Sequence, residues 1–232
     1  FTTVPPKVLW VDPREGMELV DVDTAITVQF NQPVDADSAR QVFQLQENGL
    51  MSRTVNGTFT VEDNVLTFKP RRRLGFDTVY KVSVDAGVTS TAGGRGMVEP
   101  VNWTFTTVPL PRIVSTEPKD DERNAPPHTH FAITFNAPID PDTVMPNLTM
   151  TPPISPTQVH TYFSRYNNTF VLNFGARPSN SYEVVIRDGI TDPYGNRIPQ
   201  GRTVRFRTGP LPPGYRLRVP DPIGPDDAGQ PA

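Results

Sequence analysis

The sequence predicts an all-β chain built as two tandem β-sandwiches. Three observations predict it: a high proline content, an internal duplication, and short alternating apolar runs separated by turn residues. The chain holds 27 prolines in 232 residues, more than twice the usual ~5%. Proline lacks the backbone donor and clashes in a helix interior, so long helices are excluded. An apolar fraction of 36% supports real cores, and the length suits two domains of roughly a hundred residues each. With no cysteine, disulfides, thiolate catalysis and cysteine-based metal sites are excluded. A formal net charge of -3 offers no broad attraction to nucleic acid or anionic lipid. No run approaches the ~18–20 apolar residues that cross a bilayer, and no leader pattern follows Phe1.

The duplication is ordered along the chain. Phe1-Thr2-Thr3-Val4-Pro5 recurs letter for letter as Phe105-Thr106-Thr107-Val108-Pro109, with a weaker copy at Phe206-Arg207-Thr208-Gly209-Pro210. Ile26-Thr27-Val28-Gln29-Phe30-Asn31-Gln32-Pro33-Val34-Asp35 matches Phe131-Ala132-Ile133-Thr134-Phe135-Asn136-Ala137-Pro138-Ile139-Asp140 at an offset of 105. Later, Tyr80-Lys81-Val82-Ser83-Val84 faces Tyr182-Glu183-Val184-Val185-Ile186 at an offset of 102, so the length changes fall between strands. Self-similarity at a fixed period means one module written twice. The boundaries are 4–107 and 108–209, with 1–3 read as the end of a preceding repeat and 210–232 as a Pro-rich linker or the start of a following domain. The expectation is a segment of a longer array.

Each element follows from residue pattern. In the first repeat, runs of Val, Ile, Thr, Phe and Tyr between Pro, Gly, Asn and Asp predict strands at 7–11, 24–30, 42–47, 53–61, 64–69, 78–85 and 101–107. In the second they predict 111–116, 129–135, 147–151, 157–163, 168–174, 181–187 and 203–208. Alternation is clear at Ile26, Val28 and Phe30 against Thr27 and Gln29, the period-two signature of a half-buried antiparallel strand. One helical turn per repeat is expected after the second predicted strand, where Asp35 and Asp140 supply caps and Pro141 sits early. About seven strands per hundred residues is the immunoglobulin-like β-sandwich pattern.

The recurring Pro-x-[Val/Ile]-x-x-x-x-[Asp/Glu]-Pro and Phe-Asn-x-Pro-[Val/Ile]-Asp, with Asp188-Gly189-Ile190-Thr191-Asp192-Pro193-Tyr194-Gly195-Asn196 before a Phe-x-Thr strand, resemble the bacterial Ig-like domain family first associated with S-layer proteins. The resemblance covers about 200 residues. It implies two tandem immunoglobulin-like β-sandwiches in an extracellular or cell-surface protein. The first repeat departs at the late turn, where Ser90-Thr91-Ala92-Gly93-Gly94 stands instead.

Chemistry is sparse. Asp35 with Asp37, Asp140 with Asp142, and Asp188 with Asp192 are the candidates for calcium, a cation that wants six to eight oxygens; Asp-x-Asp supplies two, and turn capping is the favoured reading. His128 and His130 share a strand face, but their counterparts Asp23 and Ala25 bring no imidazole; His160 stands apart. Arg71-Arg72-Arg73 is the densest basic run and reads as a solvated loop or a contact to an acidic neighbour. Asn-x-Thr triplets begin at Asn56, Asn102, Asn147 and Asn167. Trp10, Trp103, Phe76 and Tyr80 could form a carbohydrate platform, although sandwich aromatics more often fill the core or the seam between modules. No cofactor and no catalytic residue are expected.

Val108-Pro109-Leu110-Pro111 predicts a short, semi-rigid joint. The tail contains Tyr215-Arg216-Leu217-Arg218-Val219, a candidate strand in a proline-rich setting. The expected role is a non-enzymatic structural spacer or display segment of a bacterial cell-surface or secreted protein, monomeric, whose partners are other domains of the same chain. An adhesin or glycan-binding module is the alternative, its partner a surface protein or glycan. A second alternative is an Ig-like segment of a large alpha-2-macroglobulin-like protease trap.

Overall fold

A computed structural model describes residues 4–49 and 52–212. The readings for 1–3 and for the tail strand at 215–219 lie outside the described residues. In the first repeat the strands are β1 (Val8–Asp12), β2 (Met17–Val20), β3 (Ile26–Phe30), β4 (Phe43–Glu47), β5 (Arg53–Thr54), β6 (Gly57–Glu62), β7 (Val65–Pro70), β8 (Val79–Val84) and β9 (Val101–Thr107). In the second they are β10 (Ile113–Glu117), β11 (Glu122–Ala125), β12 (Phe131–Phe135), β13 (Leu148–Thr151), β14 (His160–Ser164), β15 (Thr169–Asn173), β16 (Ser181–Ile186) and β17 (Arg202–Thr208). The first repeat packs sheet β1-β3-β7-β6 on sheet β2-β9-β8-β4-β5; the second packs β10-β12-β15-β14 on β11-β17-β16-β13.

The two halves match to the level of irregularities. β1 slips register against β3 between Val8 and Trp10, and β10 slips against β12 between Ile113 and Ser115. A bulge inserts one unpaired residue and tightens local twist, and here it recurs at Leu9 and Val114. β2 runs parallel to β9, and β11 parallel to β17. These two short strands are absent from the sequence reading. Met17-Glu18-Leu19-Val20 and Glu122-Arg123-Asn124-Ala125 lack alternation and are mostly exposed, so backbone pairing alone defines them.

Other boundaries shift for local reasons. The expected strand 53–61 divides into β5 and β6, and that expected at 157–163 starts at His160 because Pro156–Gln158 forms a 3-10 turn. After β3 comes α1 (Ala36–Val42), capped by Asp35; its counterpart is a 3-10 turn at Pro141–Thr143 followed by another at Met145–Asn147. The second repeat thus has two short 3-10 turns where one helical turn was expected, and a third at Pro156–Gln158. Pro146 cannot donate to a continuing helix, which divides that stretch.

Each sandwich closes over its own core. Ile26, Val28, Phe30, Leu66, Leu45, Val82 and Phe105 are at most 1% exposed in the first, as are Phe131, Ile133, Leu172, Val184 and Val204 in the second. Phe43, Phe59 and Phe68 pack together at centroid separations of 4.9–5.5 Å. The Tyr80 hydroxyl accepts from the Gly75 N–H and the Tyr182 hydroxyl from that of Arg177, each at 2.8 Å, tying a buried ring to the loop before its strand. Trp103 donates from Nε1 to the Pro13 carbonyl at 2.9 Å. Among the described residues no buried side-chain polar atom lacks a partner.

Candidate functional site at the joint between repeats

The acidic residues act first on their own turns. Asp35 accepts from the Ser38 N–H at 2.9 Å, while the Ser38 hydroxyl donates to the Asp35 carbonyl and accepts from the Thr89 N–H. The second repeat rebuilds this with Asp140, Thr143 and Thr191: the Asp140 carboxylate accepts from Asp142 N–H at 3.1 Å, and the Thr143 hydroxyl links the Asp140 carbonyl to the Thr191 N–H. Asp37 is exposed and faces Arg40 at 3.6 Å; Asp188 is also exposed. Asp192 is 4% exposed. Its carboxylate accepts from the N–H groups of Tyr194 and Asn196 at 2.9 and 2.8 Å and from the Asn196 side-chain amide at 2.8 Å. Gly195, at φ +86°, supplies the left-handed step that closes the turn. Among the described residues no group of three His, Asp or Glu side chains has a metal-holding arrangement.

That turn projects Tyr194 onto the first repeat. Its ring meets Phe76 edge-on at a centroid distance of 5.6 Å, and the Arg73 guanidinium carbon lies 5.3 Å over it. Arg73 is itself held by Asp23 through a two-pronged contact, Nε at 3.1 Å and Nη2 at 2.9 Å. The Tyr194 phenol lies beside the Asp21 carboxylate and the Val22 backbone. Burial, and then the neighbouring Asp21 charge, push its pKa up to about 12. The Asp23 carboxylate raises that of Arg73 above its ordinary value. Tyr194 belongs to the second repeat by sequence and packs on the core of the first.

The chain path between repeats is equally defined. Val108 is 3% exposed in the first core and donates its N–H to the Val20 carbonyl at 2.9 Å. Pro111 is buried, and Asn136 holds the incoming chain by donating to the Leu110 carbonyl and accepting from the Arg112 N–H. Only Pro109 and Leu110 lie between these anchors.

The model of a bacterial Ig-like domain matches twice, over residues 2–107 and 109–208. The chain belongs to that family. No curated protein sequence matches it. Among solved structures, the N-terminal part of the S-layer protein SbsC is similar at TM-score 0.35 and 15% identity, over 88% of this chain and 44% of that one. An L,D-transpeptidase from Mycobacterium smegmatis is similar at TM-score 0.33 and 19% identity, over 70% and 66%. A titin fragment, A168169, is similar at TM-score 0.28 and 11% identity, over 89% and 100%. The chain spans less than half the length of the S-layer structures.

The remaining candidates of this Ig-like pair are dispersed. His128 and His160 are exposed, and His130 sits half-buried beside an open groove of about 860 Å³ on the outer face of β12 and β15, with Tyr162 and Asn167 on its rim. All three arginines of the basic run are exposed, and among the described residues Arg73 is the one that meets an acidic neighbour, Asp23. Trp103 and Tyr80 lie in the core, Phe76 lies in the seam, and Trp10 is 43% exposed. Sequence reading passed over Asp21, Asp23 and Tyr194 as a joint. The signal was present as a difference between repeats: Ala92 stands where Tyr194 does, and Pro178 where Phe76 does.

Proposed function

We propose that this Ig-like pair is a non-catalytic spacer or display segment of a bacterial cell-surface or secreted protein, holding neighbouring domains at a set separation. The observation that carries this reading is the joint: two closed sandwiches with only Pro109 and Leu110 between the buried anchors Val108 and Pro111. A link this short and proline-bearing restricts the angles open to its neighbours. The acidic turns support the reading too, since the Asp35, Asp140 and Asp192 carboxylates accept from backbone and amide donors of their own turns. Small-angle scattering of the purified chain tests it. An elongated particle with the repeats end to end is expected, and a compact particle with the sandwiches side by side would count against it.

A second reading, a glycan-binding module, is favoured by one observation. On the outer sheet face of the second repeat, small residues Ala132 and Thr134 form a floor beside the exposed ring of Tyr162. An aromatic face beside hydroxyl and amide groups is suited to a sugar ring. A glycan array read with wild type and Tyr162→Ala decides it, since tyrosine-dependent binding would favour this reading over the spacer.

A further inference from the structure

We infer that Tyr194 and the Asp21-Asp23-Arg73-Phe76 pocket form a key-and-receptor joint that locks the two repeats at one angle. The inference takes its purpose from the spacer reading, but its geometry stands independently. Two contacts with defined geometry converge on one ring, an edge-on aromatic at 5.6 Å and a guanidinium over its face at 5.3 Å, with the Asp21 carboxylate beside its hydroxyl. Both partners are braced from behind. Asp23 fixes the guanidinium through its fork, and the Asp192 carboxylate fixes the turn that bears the ring. Pre-organised partners lose less freedom on docking, so modest contacts suffice to hold an orientation.

The joint is also specific to this pair. The tyrosine corners align Gly75 with Arg177, which places Pro178 at the Phe76 position and Gly175 at the Arg73 position. The parallel pairing of Val20 with Thr107 and of Ala125 with Thr208 places Pro126 and His128 at the positions of Asp21 and Asp23. At the equivalent positions the far pole of the second repeat therefore lacks the guanidinium, the aromatic and the carboxylates. The turn of the first repeat has a different gap: Ala92, whose N–H bonds the Ser90 hydroxyl as that of Tyr194 bonds Asp192. Among the described residues, receptor and key occur once each, on facing poles. The chemistry the receptor fits is a turn carrying a phenol, presented by the module that follows.

The test is NMR relaxation of the full chain, which reads whether the repeats share one rotational correlation time, for wild type, Tyr194→Ala, Tyr194→Phe and Arg73→Ala. Wild type is expected to tumble as one body. Tyr194→Ala is expected to lose common tumbling, Arg73→Ala to weaken it, and Tyr194→Phe to keep it through the ring contacts. Amide spectra confirm that both sandwiches stay folded in each variant. Independent tumbling in wild type, or common tumbling unchanged in Tyr194→Ala, overturns the joint. The latter leaves the spacer reading intact through the linker alone, whereas glycan binding by a rigid chain would overturn the spacer reading and leave the joint.

Discussion

Asp192 is a buried carboxylate whose three hydrogen bonds all go to donors within four residues of itself. Removing it leaves two backbone N–H groups without their acceptor, and an orphaned buried donor costs about 1–3 kcal/mol. Asp192→Ala is therefore expected to lower the unfolding free energy of the second repeat by about that amount, read as a drop in its urea midpoint, and also to loosen the joint. The corner tyrosines make a paired test. Tyr80→Phe and Tyr182→Phe each delete one hydroxyl that accepts from a backbone N–H, a loss of about 1 kcal/mol, read as a drop in the unfolding midpoint of the repeat concerned. Tyr194 adds a pH dependence. A phenol with its pKa raised to about 12 when docked, against about 10 when free, favours docking fully below pH ~10. That contribution is lost as pH climbs through the docked value. Asp21, Asp23 and Arg73 are the other charged groups around the phenol. Absorbance titration should show late-ionising tyrosine, and Tyr194→Phe should remove the Tyr194 share of that lag while Tyr80, which burial also raises, keeps its own.

At the scale of elements, caps decide local stability. Asp35 caps α1 through the Ser38 N–H, and Asp35→Ala is expected to cost about 1 kcal/mol, measurable by thermal unfolding of the chain against the equivalent Asp140→Ala. Elements were legible wherever side chains alternate: Ile26, Val28 and Phe30 point inward at 0% exposure, as their spacing indicates. β2 and β11 were illegible because their pairing is written in backbone donors, and side chains such as Glu18 and Arg123 report only solvent. The joint was hidden for another reason. Asp21, Asp23, Arg73, Phe76 and Tyr194 are remote in sequence, and periodicity cannot show that a loop of one module faces a turn of the next. Only the contrast between aligned repeats, tyrosine against alanine and phenylalanine against proline, marked those positions as special.

For the whole molecule, duplication gave two near-identical scaffolds on which differences in a few loop residues create polarity. One pole of the first repeat grips and one turn of the second is gripped, so the direction of the array is encoded in side chains as well as in connectivity. Replacing Pro109 and Leu110 with glycines is expected to change scattering profiles little while Tyr194 is present, and to broaden them strongly when combined with Tyr194→Ala. A large change from the glycines alone would mean that the linker, and not the ring contacts, sets the angle.

The parallel pairing of β2 with β9 bears on how such a chain carries tension. The Val108 N–H bonds the Val20 carbonyl and the Gly16 N–H the Thr104 carbonyl; the second repeat repeats these bonds from Gly209 to Ala125 and from Asp121 to Arg205. Traction on the two ends of a repeat drags these strands past each other along their length, so the bonds between them are loaded in shear and must give way together. A ladder peeled from one end fails bond by bond; this one is expected to fail late and abruptly, a useful property for any chain stretched between an anchor and a load.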